Sequence, residues 1–500
     1  MKLSTTLALA AILGSTALAA QAASLRIGLE ADPDMLDPAK SRTFVGRIVF
    51  SALCDKLIDV TPDLTLVPQL ATGWTVSEDG LAIDLTLREG VKFHDGTDFD
   101  AGAVKANIER ALTLEDGARK SELASIDSVE VVGPLHARLH LKTPDAPLLA
   151  QLADRGGMML SPASFDTDVA AHPVCSGPFA FRSRVSQDRI ELVKFADYWN
   201  ADAIHLDGVT YLPIPDSTVR LANLQAGDLD LITRLGATDV PTVEGAANLA
   251  FASVEGLGYQ RLVFNTGNGP HSETPFGQDA RLRKAVSLAI DREAINQVVF
   301  AGLNAPASQY VPASSPWFDP AFPPQPRDIE AAKALVAEAG FADGVEMELH
   351  VSNNPELLQV AQMIQAMVAE AGINANIVSM ENATLIATSV KGEFEAEIIA
   401  WSGRVDPDGN LYPFVRTGSG NNNSNYSNPA LDEVIDAARA TSDPDQRREL
   451  YHQANVLLNE DAPVLYLYNE AWLYGLSDRV QGFVPSPDGM IRLQGVSLAE

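Results

Sequence analysis

The segment from Trp401 to Asp408 carries the residues best suited to holding a ligand. Arg404 has five N–H donors and no acceptor, so it suits a carboxylate or phosphate by bidentate pairing. Trp401 offers a rigid apolar wall. Asp406 could receive an ammonium group, pair with Arg404 or belong to a structural turn. The segment follows an apolar run at 398–400, and strand ends that face a cleft are common ligand sites in α/β proteins.

Motifs of hydrolases and metalloenzymes are absent from the sequence. There is no Gly-x-Ser-x-Gly elbow, no His-Glu-x-x-His helix and no Gly-x-x-x-x-Gly-Lys loop. His136 and His140 are four residues apart, but the leucines around them alternate as in a strand, so we interpret them as sheet or surface residues. Asp406 to Asn410 is similar to a calcium loop, yet Leu411 stands where an EF-hand has glycine. We predict no metal, cofactor or catalytic residue, although a glycosidase-type carboxylate pair stays open.

The elements that would position this segment are marked by caps and short apolar runs. The predicted helix starts are Asp100, Asp328, Pro355, Asn428 and Asp443, and the predicted stops are Gly340 and Gly372. The predicted strands lie in 25–29, 83–87, 209–212, 262–265, 346–351, 396–401 and 464–468. The order of strand, helix and strand over 346–377 predicts a parallel βαβ unit. The fold class is therefore α/β.

Composition limits the number of domains and the kinds of partner. The 500 residues exceed what one hydrophobic core usually organises, so we expect two or three lobes. The chain has 36 Lys and Arg residues against 66 Asp and Glu residues, a formal charge of −30 at pH 7. Nucleic acids and anionic lipids are bound mainly through Lys and Arg, so neither is an expected partner.

Residues 1–22 have the pattern of a secretory signal peptide. Lys2 precedes the apolar stretch 7–18, and Ala20-Gln21-Ala22 is a small-x-small cleavage site. The stretch is too short to span a bilayer, so we predict an exported, soluble protein, with a retained N-terminal anchor as the alternative. In an oxidising compartment an even cysteine count favours a Cys54–Cys175 disulfide over two buried free thiols.

Short motifs occur in a fixed order along most of the chain. They are LVPQLATGW at 66–74, SEDG at 77–80, LREGVKFHDG at 87–96, SGPF at 176–179, LQAGDLD at 224–230, FNT at 264–266, RLRKAV at 281–286 and AIDR at 289–292. This ordered set resembles the bacterial extracellular solute-binding proteins of family 5, which include dipeptide, oligopeptide, glutathione and nickel-complex receptors. Most of these residues are expected to build the fold rather than to touch ligand.

The resemblance implies a two-lobed periplasmic binding protein, type II-like and of cluster C, with an extra inserted subdomain. The implied segments are a signal peptide at 1–22, lobe I at 23–57, 175–264 and 477–500, an inserted subdomain at 58–174, and lobe II at 265–476. Ligand would lie between the lobes and be enclosed by hinge closure. The closed monomer would deliver it to ABC permease subunits in the inner membrane.

The same resemblance leaves the ligand class open. In peptide-binding members the segment matching 401–408 supplies an aspartate for the peptide's α-ammonium, and Arg404 stands at that position here. The ligand is then either peptide-like, with Asp406 receiving the ammonium, or an anionic non-peptide such as an opine, a sugar derivative or a metal chelate. Arg42, after the first strand, and Tyr259, before the lobe crossing, are further candidate ligand contacts. A secreted hydrolase on a two-lobed scaffold is the remaining interpretation.

Overall fold

The computed structural model describes residues 24–499, so the predicted signal peptide lies outside the described residues. The strands are β1 Ser24–Leu29, β2 Ile58–Val60, β3 Leu66–Pro68, β4 Ala71–Val76, β5 Ala82–Leu87, β6 Ile126–Gly133, β7 His136–Leu141, β8 Phe179–Val185, β9 Arg189–Lys194, β10 Gly208–Pro213, β11 Leu231–Ile232, β12 Leu249–Phe264, β13 Ala305–Pro306, β14 Val345–Ser352, β15 Ile373–Met380, β16 Ala396–Trp401, β17 Val464–Ser477, β18 Val480–Gln481 and β19 Ser497–Leu498. The α-helices are α1 Phe44–Leu53, α2 Ala101–Thr113, α3 Leu148–Gln151, α4 Ser217–Ala226, α5 Val240–Glu244, α6 Pro275–Gln278, α7 Ala280–Ala289, α8 Arg292–Phe300, α9 Ile329–Glu338, α10 Pro355–Ala369, α11 Asn382–Lys391, α12 Asp408–Val415, α13 Pro429–Ala440 and α14 Pro444–Asp461. None of these helices is both long enough and apolar enough to cross a bilayer.

A mixed sheet of eleven strands runs through the whole molecule. Its order is β15-β14-β16-β12-β17-β11-β1-β10-β9-β8, and β13 pairs with β17. Strands β14 and β15 are parallel and are joined by α10, which confirms the predicted βαβ unit. A second sheet, β4-β5-β7-β6, is antiparallel and stands apart from the first. The α/β class predicted from the sequence is therefore confirmed.

The helix starts follow the predicted capping residues. At these five helix starts, the side chains of Asp100, Asp328, Asn354, Asn428 and Asp443 each accept a hydrogen bond from a first-turn backbone N–H. At α10 the cap is thus Asn354, and Pro355 is the first helical residue. Gly340 follows the end of α9 with a φ of 93°, a left-handed conformation that favours glycine. Local polar chemistry therefore fixes these helix ends.

The apolar core is divided into separate clusters. One cluster gathers β1, α1 and β10, a second gathers β14, α10 and β15, and a third gathers α2 with the four-stranded sheet. Within the first cluster Cys54 and Cys175 form the predicted disulfide, with 4.8 Å between their Cα atoms. Two further clusters lie around α13 with α14 and around α4 with α5, so the clusters do not by themselves set the segment boundaries, which stay a prediction.

Two long antiparallel strands, β12 and β17, pass from one lobe to the other. Their register breaks between Glu255 and Tyr259. Within the break, a Cβ added at Gly258 would lie 2.6 Å from the Trp401 carbonyl oxygen, so a larger residue does not fit there. Asn469 Nδ2 donates to the Gly258 oxygen at 3.0 Å and holds the irregular backbone. The break therefore lies between the part of β12 that packs against the first cluster and the part that packs in the second.

Candidate ligand-binding site

The loop that follows β16 lies beside Arg47 of α1 and beside Asp154, which follows α3. It closes a small cavity lined by Arg47, Asp154, Leu257, Arg404 and Asp488, among others. The cavity measures about 20 Å³, which is room for about one water molecule. The cavity therefore has no room for a larger molecule in this conformation.

The geometry of this loop is set by a glycine and an asparagine. Gly403 has a φ of 78°, and a Cβ there would lie 2.3 Å from the Leu257 carbonyl carbon. The Oδ1 atom of Asn410 accepts from Trp401 Nε1 at 3.1 Å and from the Arg404 backbone N–H at 2.6 Å. Asn410 Nδ2 donates to the Arg404 oxygen at 2.8 Å. Asn410 is fully buried, and these three hydrogen bonds hold the loop in place.

The guanidinium of Arg404 lies over the indole of Trp401 and points toward the subdomain. Its Cζ is 4.4 Å from the Trp401 ring centroid, a cation–π distance. Its Nη1 donates to the Gly403 oxygen at 2.7 Å, and its Nε lies 3.8 Å from Asp154 Oδ2. Arg404 therefore pairs with Asp154 of the predicted subdomain and not with Asp406.

Four arginines surround Asp154, and we call them the arginine cluster: Arg47, Arg119, Arg155 and Arg404. Arg47 Nη2 lies 2.9 Å from Asp154 Oδ2, and Arg119 pairs with Glu122. Burial alone would raise the pKa of Asp154, but Arg47, Arg155 and Arg404 hold it well below its usual range. Within this cluster four positive charges meet the two negative charges of Asp154 and Glu122, while Asp406 and Asp488, which line the same cavity, pair with Arg447 and Arg492.

The arginine cluster is shielded from water, and several of its N–H donors have no hydrogen-bond partner. Arg47, Arg119 and Arg155 are each 5% exposed. Arg47 Nη1, Arg119 Nε and Arg155 Nε donate to no protein atom. Burial lowers the pKa of Arg155 to about 9 and that of Arg404 to about 10, and neighbouring arginines add to both effects. Buried donors without partners are costly, so the cluster is chemically suited to a carboxylate or similar anion.

The carboxylates of Asp406 and Asp408 are paired with arginines of α14 and α13. Asp406 accepts from both terminal nitrogens of Arg447, at 2.8 and 2.9 Å. Asp408 accepts from Arg439 at 2.6 and 3.0 Å. Each aspartate therefore has a bidentate arginine partner within the protein, and the role of Asp406 toward a ligand stays a prediction.

The two remaining predicted contacts differ in their surroundings. Tyr259 is 1% exposed, and its hydroxyl donates to the Asn410 carbonyl oxygen at 2.6 Å, so it supports the loop from behind. Arg42 is exposed, but the Ser41 oxygen beside it accepts from Arg155 Nη1 at 2.9 Å. The structure thus brings Trp401, Arg404 and Tyr259 together and leaves the Arg42 side chain outside the arginine cluster.

The two histidines that we interpreted as sheet residues lie on β7. His136 Nε2 is 2.9 Å from Asp84 Oδ1, and His140 Nε2 is 2.8 Å from Glu130 Oε2. Across residues 24–499, no group of three or more His, Cys, Asp or Glu side chains is placed to hold a metal ion.

The sequence interpretation missed most of the arginine cluster. Arg47 carried a usable signal, because it is the charged residue of α1, whose other residues are mainly apolar and mostly buried. Arg119 and Arg155 lie in short connections without periodicity, and only the tertiary fold brings them to Arg404. Asn410 lies in the run that we compared with a calcium loop. Its hydrogen bonds to Trp401 and Arg404 form only in the folded protein, so the sequence did not reveal them.

Comparison with known proteins places these features in a family. The model described as bacterial extracellular solute-binding proteins, family 5 Middle, matches residues 65–423. The glutathione-binding protein GsiB of Salmonella paratyphi A is 31% identical, over 91% of this chain and 90% of that protein. The periplasmic binding protein DppA from Helicobacter pylori, in complex with peptide STSA, has a TM-score of 0.83 and 26% identity, covering 95% of this chain and 98% of that one. The binding protein AgaA of A. tumefaciens R10, in complex with agropinic acid, has a TM-score of 0.81 and 26% identity, covering 95% and 99%.

Proposed function

The chain belongs to the bacterial extracellular solute-binding proteins of family 5, and we propose that it is the periplasmic substrate-binding component of an ABC importer. It captures a peptide or peptide-like small molecule that carries at least one carboxylate. Membership of the family supports the receptor role. The arginine cluster supports the carboxylate.

The observation that carries the proposal is the excess of buried positive charge where the lobes meet. Arg47, Arg119, Arg155 and Arg404 outnumber Asp154 and Glu122, and three of the guanidinium groups keep unpartnered N–H donors. A carboxylate would satisfy these donors by charge-assisted hydrogen bonds and would balance the charge. Trp401 would form one apolar wall beside it.

Capture requires the lobes to separate and close again. The register break between β12 and β17 supplies a hinge, and the Arg404 loop would move with lobe II toward Asp154 as the cleft closes. The closed form would be the one that the permease subunits recognise. We further propose that the protein acts as a monomer, without catalysis and without nucleic acid.

Two ligand classes remain, and different observations favour them. Peptide-like ligands are supported by the glutathione-binding relative and by the relative solved with a peptide. An anionic non-peptide, such as an opine, is favoured by the charge excess together with the engagement of Asp406 by Arg447. The relative in complex with agropinic acid agrees with that second class. Both classes place a carboxylate on the arginine cluster.

Removal of one guanidinium tests the role of the cluster. Arg404→Ala is expected to weaken the binding of glutathione at least tenfold, because a charged hydrogen bond contributes about 1.5–3 kcal/mol. Isothermal titration calorimetry on protein that has been unfolded and refolded to remove carried-over ligand measures this change.

Arg448→Ala is the matched control, because Arg448 is exposed, pairs with Asp445 on its own helix and lies over the ring of Trp317, away from the arginine cluster. It is expected to leave the dissociation constant unchanged. An unchanged dissociation constant in Arg404→Ala would remove Arg404 from the ligand site.

A further inference from the structure

A cavity of about 370 Å³ is lined by α7, by the end of α14, by the start of β17 and by the segment 321–325. It is much larger than the cavity beside Arg404, which measures about 20 Å³. None of its lining residues belongs to the arginine cluster or to the loop that follows β16. Its volume is in the range of small-molecule sites, about 300–1,000 Å³. The cavity is therefore a separate candidate site.

The walls of this cavity are mainly apolar, and its mouth is open to water. Leu288 of α7, Phe322 and Leu458 of α14 are among the apolar lining residues. Ala321 and Pro323, which also line the cavity, are exposed. A small molecule can therefore reach an apolar interior from solvent.

Hydrogen bonds hold the wall that contains Phe322. Ser308 Oγ donates to the Phe322 oxygen at 2.6 Å, and Gln309 Nε2 donates to the same oxygen at 2.9 Å. Gln309 is 1% exposed, and its Nε2 also donates to the Asp319 oxygen at 2.7 Å. The cavity is therefore formed before a ligand binds, as small-molecule sites usually are.

One buried cation in this lining has no counter-charge. Arg292 is 8% exposed, and burial lowers its pKa to about 10. Among residues 24–499 it forms no ion pair, unlike the buried Arg47 and Arg447, which pair with aspartates. Its charge therefore lies in an apolar setting without a carboxylate to balance it.

The guanidinium of Arg292 keeps donors for a ligand. Its Nε donates to the Tyr466 oxygen at 2.8 Å, its Nη1 to the Ser287 oxygen at 3.2 Å and its Nη2 to Ser287 Oγ at 3.1 Å. A guanidinium has five N–H groups. Each terminal nitrogen therefore has a second N–H beyond these three bonds.

A second cation lines the same cavity. Lys284 lies on the same face of α7 as Ser287 and Leu288, because residues three and four apart on a helix are neighbours. All three line the cavity. Lys284 is half-buried and has no ion-pair partner in the described part of the chain. Since no described Asp or Glu lines the cavity, the lining has two positive charges and no negative one.

We propose that this cavity is a second binding site, which takes a small carboxylate with an apolar body, such as a medium-chain fatty acid. The carboxylate would pair with Arg292 and Lys284 through charge-assisted hydrogen bonds, and the apolar chain would lie against Leu288, Phe322 and Leu458. A buried charge without a partner is costly, so the ligand would remove that cost. A volume of about 370 Å³ equals that of about a dozen water molecules at about 30 Å³ each, which suits octanoate.

Octanoate and 1-octanol test the charge recognition, because they share an apolar chain and differ in the carboxylate. By isothermal titration calorimetry on refolded wild-type protein, octanoate is expected to bind and 1-octanol to bind at least tenfold more weakly. Lys284→Ala is expected to weaken octanoate binding at least threefold. Lys391→Ala, at an exposed residue of α11 outside the cavity, is the control and should leave octanoate binding unchanged.

A second pair of variants tests the position of the site. Ala321→Trp enlarges an exposed side chain at the mouth of the cavity, so it fills the cavity without removing a buried group. It is expected to weaken octanoate binding at least tenfold. Ala334→Trp, at an exposed position of α9 that does not line the cavity, is the matched control.

Three results would overturn the second site: no binding of octanoate, equal binding of octanoate and 1-octanol, or undiminished binding in Lys284→Ala or Ala321→Trp. Binding that is lost in Arg404→Ala and kept in Ala321→Trp would place octanoate on the arginine cluster instead. The proposed receptor function is tested with glutathione, so its failure is distinguishable from failure of this site.

Discussion

Neighbouring residues of the loop that follows β16 have different roles in this protein. Trp401, Arg404 and Asp406 could all be singled out from the sequence, because their types suit ligand binding. Their ion-pair partners could not be predicted from the sequence. Asp154 and Arg447 come from distant parts of the chain, and only the tertiary fold brings them to Arg404 and Asp406. The result is an arginine that lies beside Asp154 and an aspartate that is paired with Arg447.

The buried pair of Asp406 and Arg447 predicts a structural role for this aspartate. Asp406 is 8% exposed and Arg447 is 4% exposed, so Asp406→Asn leaves a buried guanidinium without its counter-charge. We expect the free energy of unfolding to fall by about 3 kcal/mol, since breaking a buried pair costs about 3–5 kcal/mol. Urea denaturation measures this change.

Asp445→Asn, at a residue whose side chain is 93% exposed, should change stability by less than about 1 kcal/mol. If Asp406→Asn were as stable as the wild type but bound peptides more weakly, the aspartate would belong to the ligand site after all.

At the level of elements, local signals were sufficient for helix ends and insufficient for the strands that join the lobes. The capping residues act within one turn, so Asp100, Asp328 and Asn428 could be predicted. Of β12, only the end near 262–265 was predicted. The strand passes from one core to the other through Gly258, so no single alternation of buried and exposed residues runs along it.

Strand β16 carries a buried acid that should make stability depend on pH. Glu397 is 2% exposed; its Oε1 accepts from Ser389 Oγ at 2.6 Å, and its Oε2 has no partner. Burial raises the pKa of Glu397 to about 7, although Ser389 and Arg261 oppose the shift. The native state therefore keeps the proton that the unfolded chain releases near pH 4.5, and stability falls as the pH rises from about 4.5 to about 7.

Glu397→Gln removes this ionisation while keeping the shape of the side chain. Relative to the wild type, its free energy of unfolding should be unchanged near pH 4.5 and higher by about 1–3 kcal/mol at pH 8, since one pKa unit corresponds to 1.36 kcal/mol. Denaturation series at both pH values measure the difference, with exposed Glu244→Gln as the control. If the free energy of unfolding of Glu397→Gln relative to the wild type were the same at both pH values, the pKa of Glu397 would not be raised in the native protein.

At the scale of the whole molecule, charge is distributed unevenly. The chain has a formal charge of −30, yet the buried arginine cluster is positive and lies between the loop after β16 and the predicted subdomain. Composition excluded nucleic acid as an expected partner but could not reveal this cluster, because its arginines are widely spaced in the sequence. The lobed α/β architecture was predictable from length, alternation of elements and the ordered motifs. The position of the arginine cluster was not predictable, because it depends on contacts between distant segments of the chain.

The most direct test of the account is the binding of carboxylate ligands and their esters by refolded protein. Glutathione, trialanine and agropinic acid, each with its carboxyl-esterified counterpart, would be titrated by calorimetry, and the bound fraction analysed for chemical change. We expect at least one free acid to bind with one site per chain, esterification to weaken its binding at least a hundredfold, and the ligand to be recovered intact. Equal binding of acid and ester, or binding of none of the acids, would contradict the claim that the arginine cluster holds the ligand.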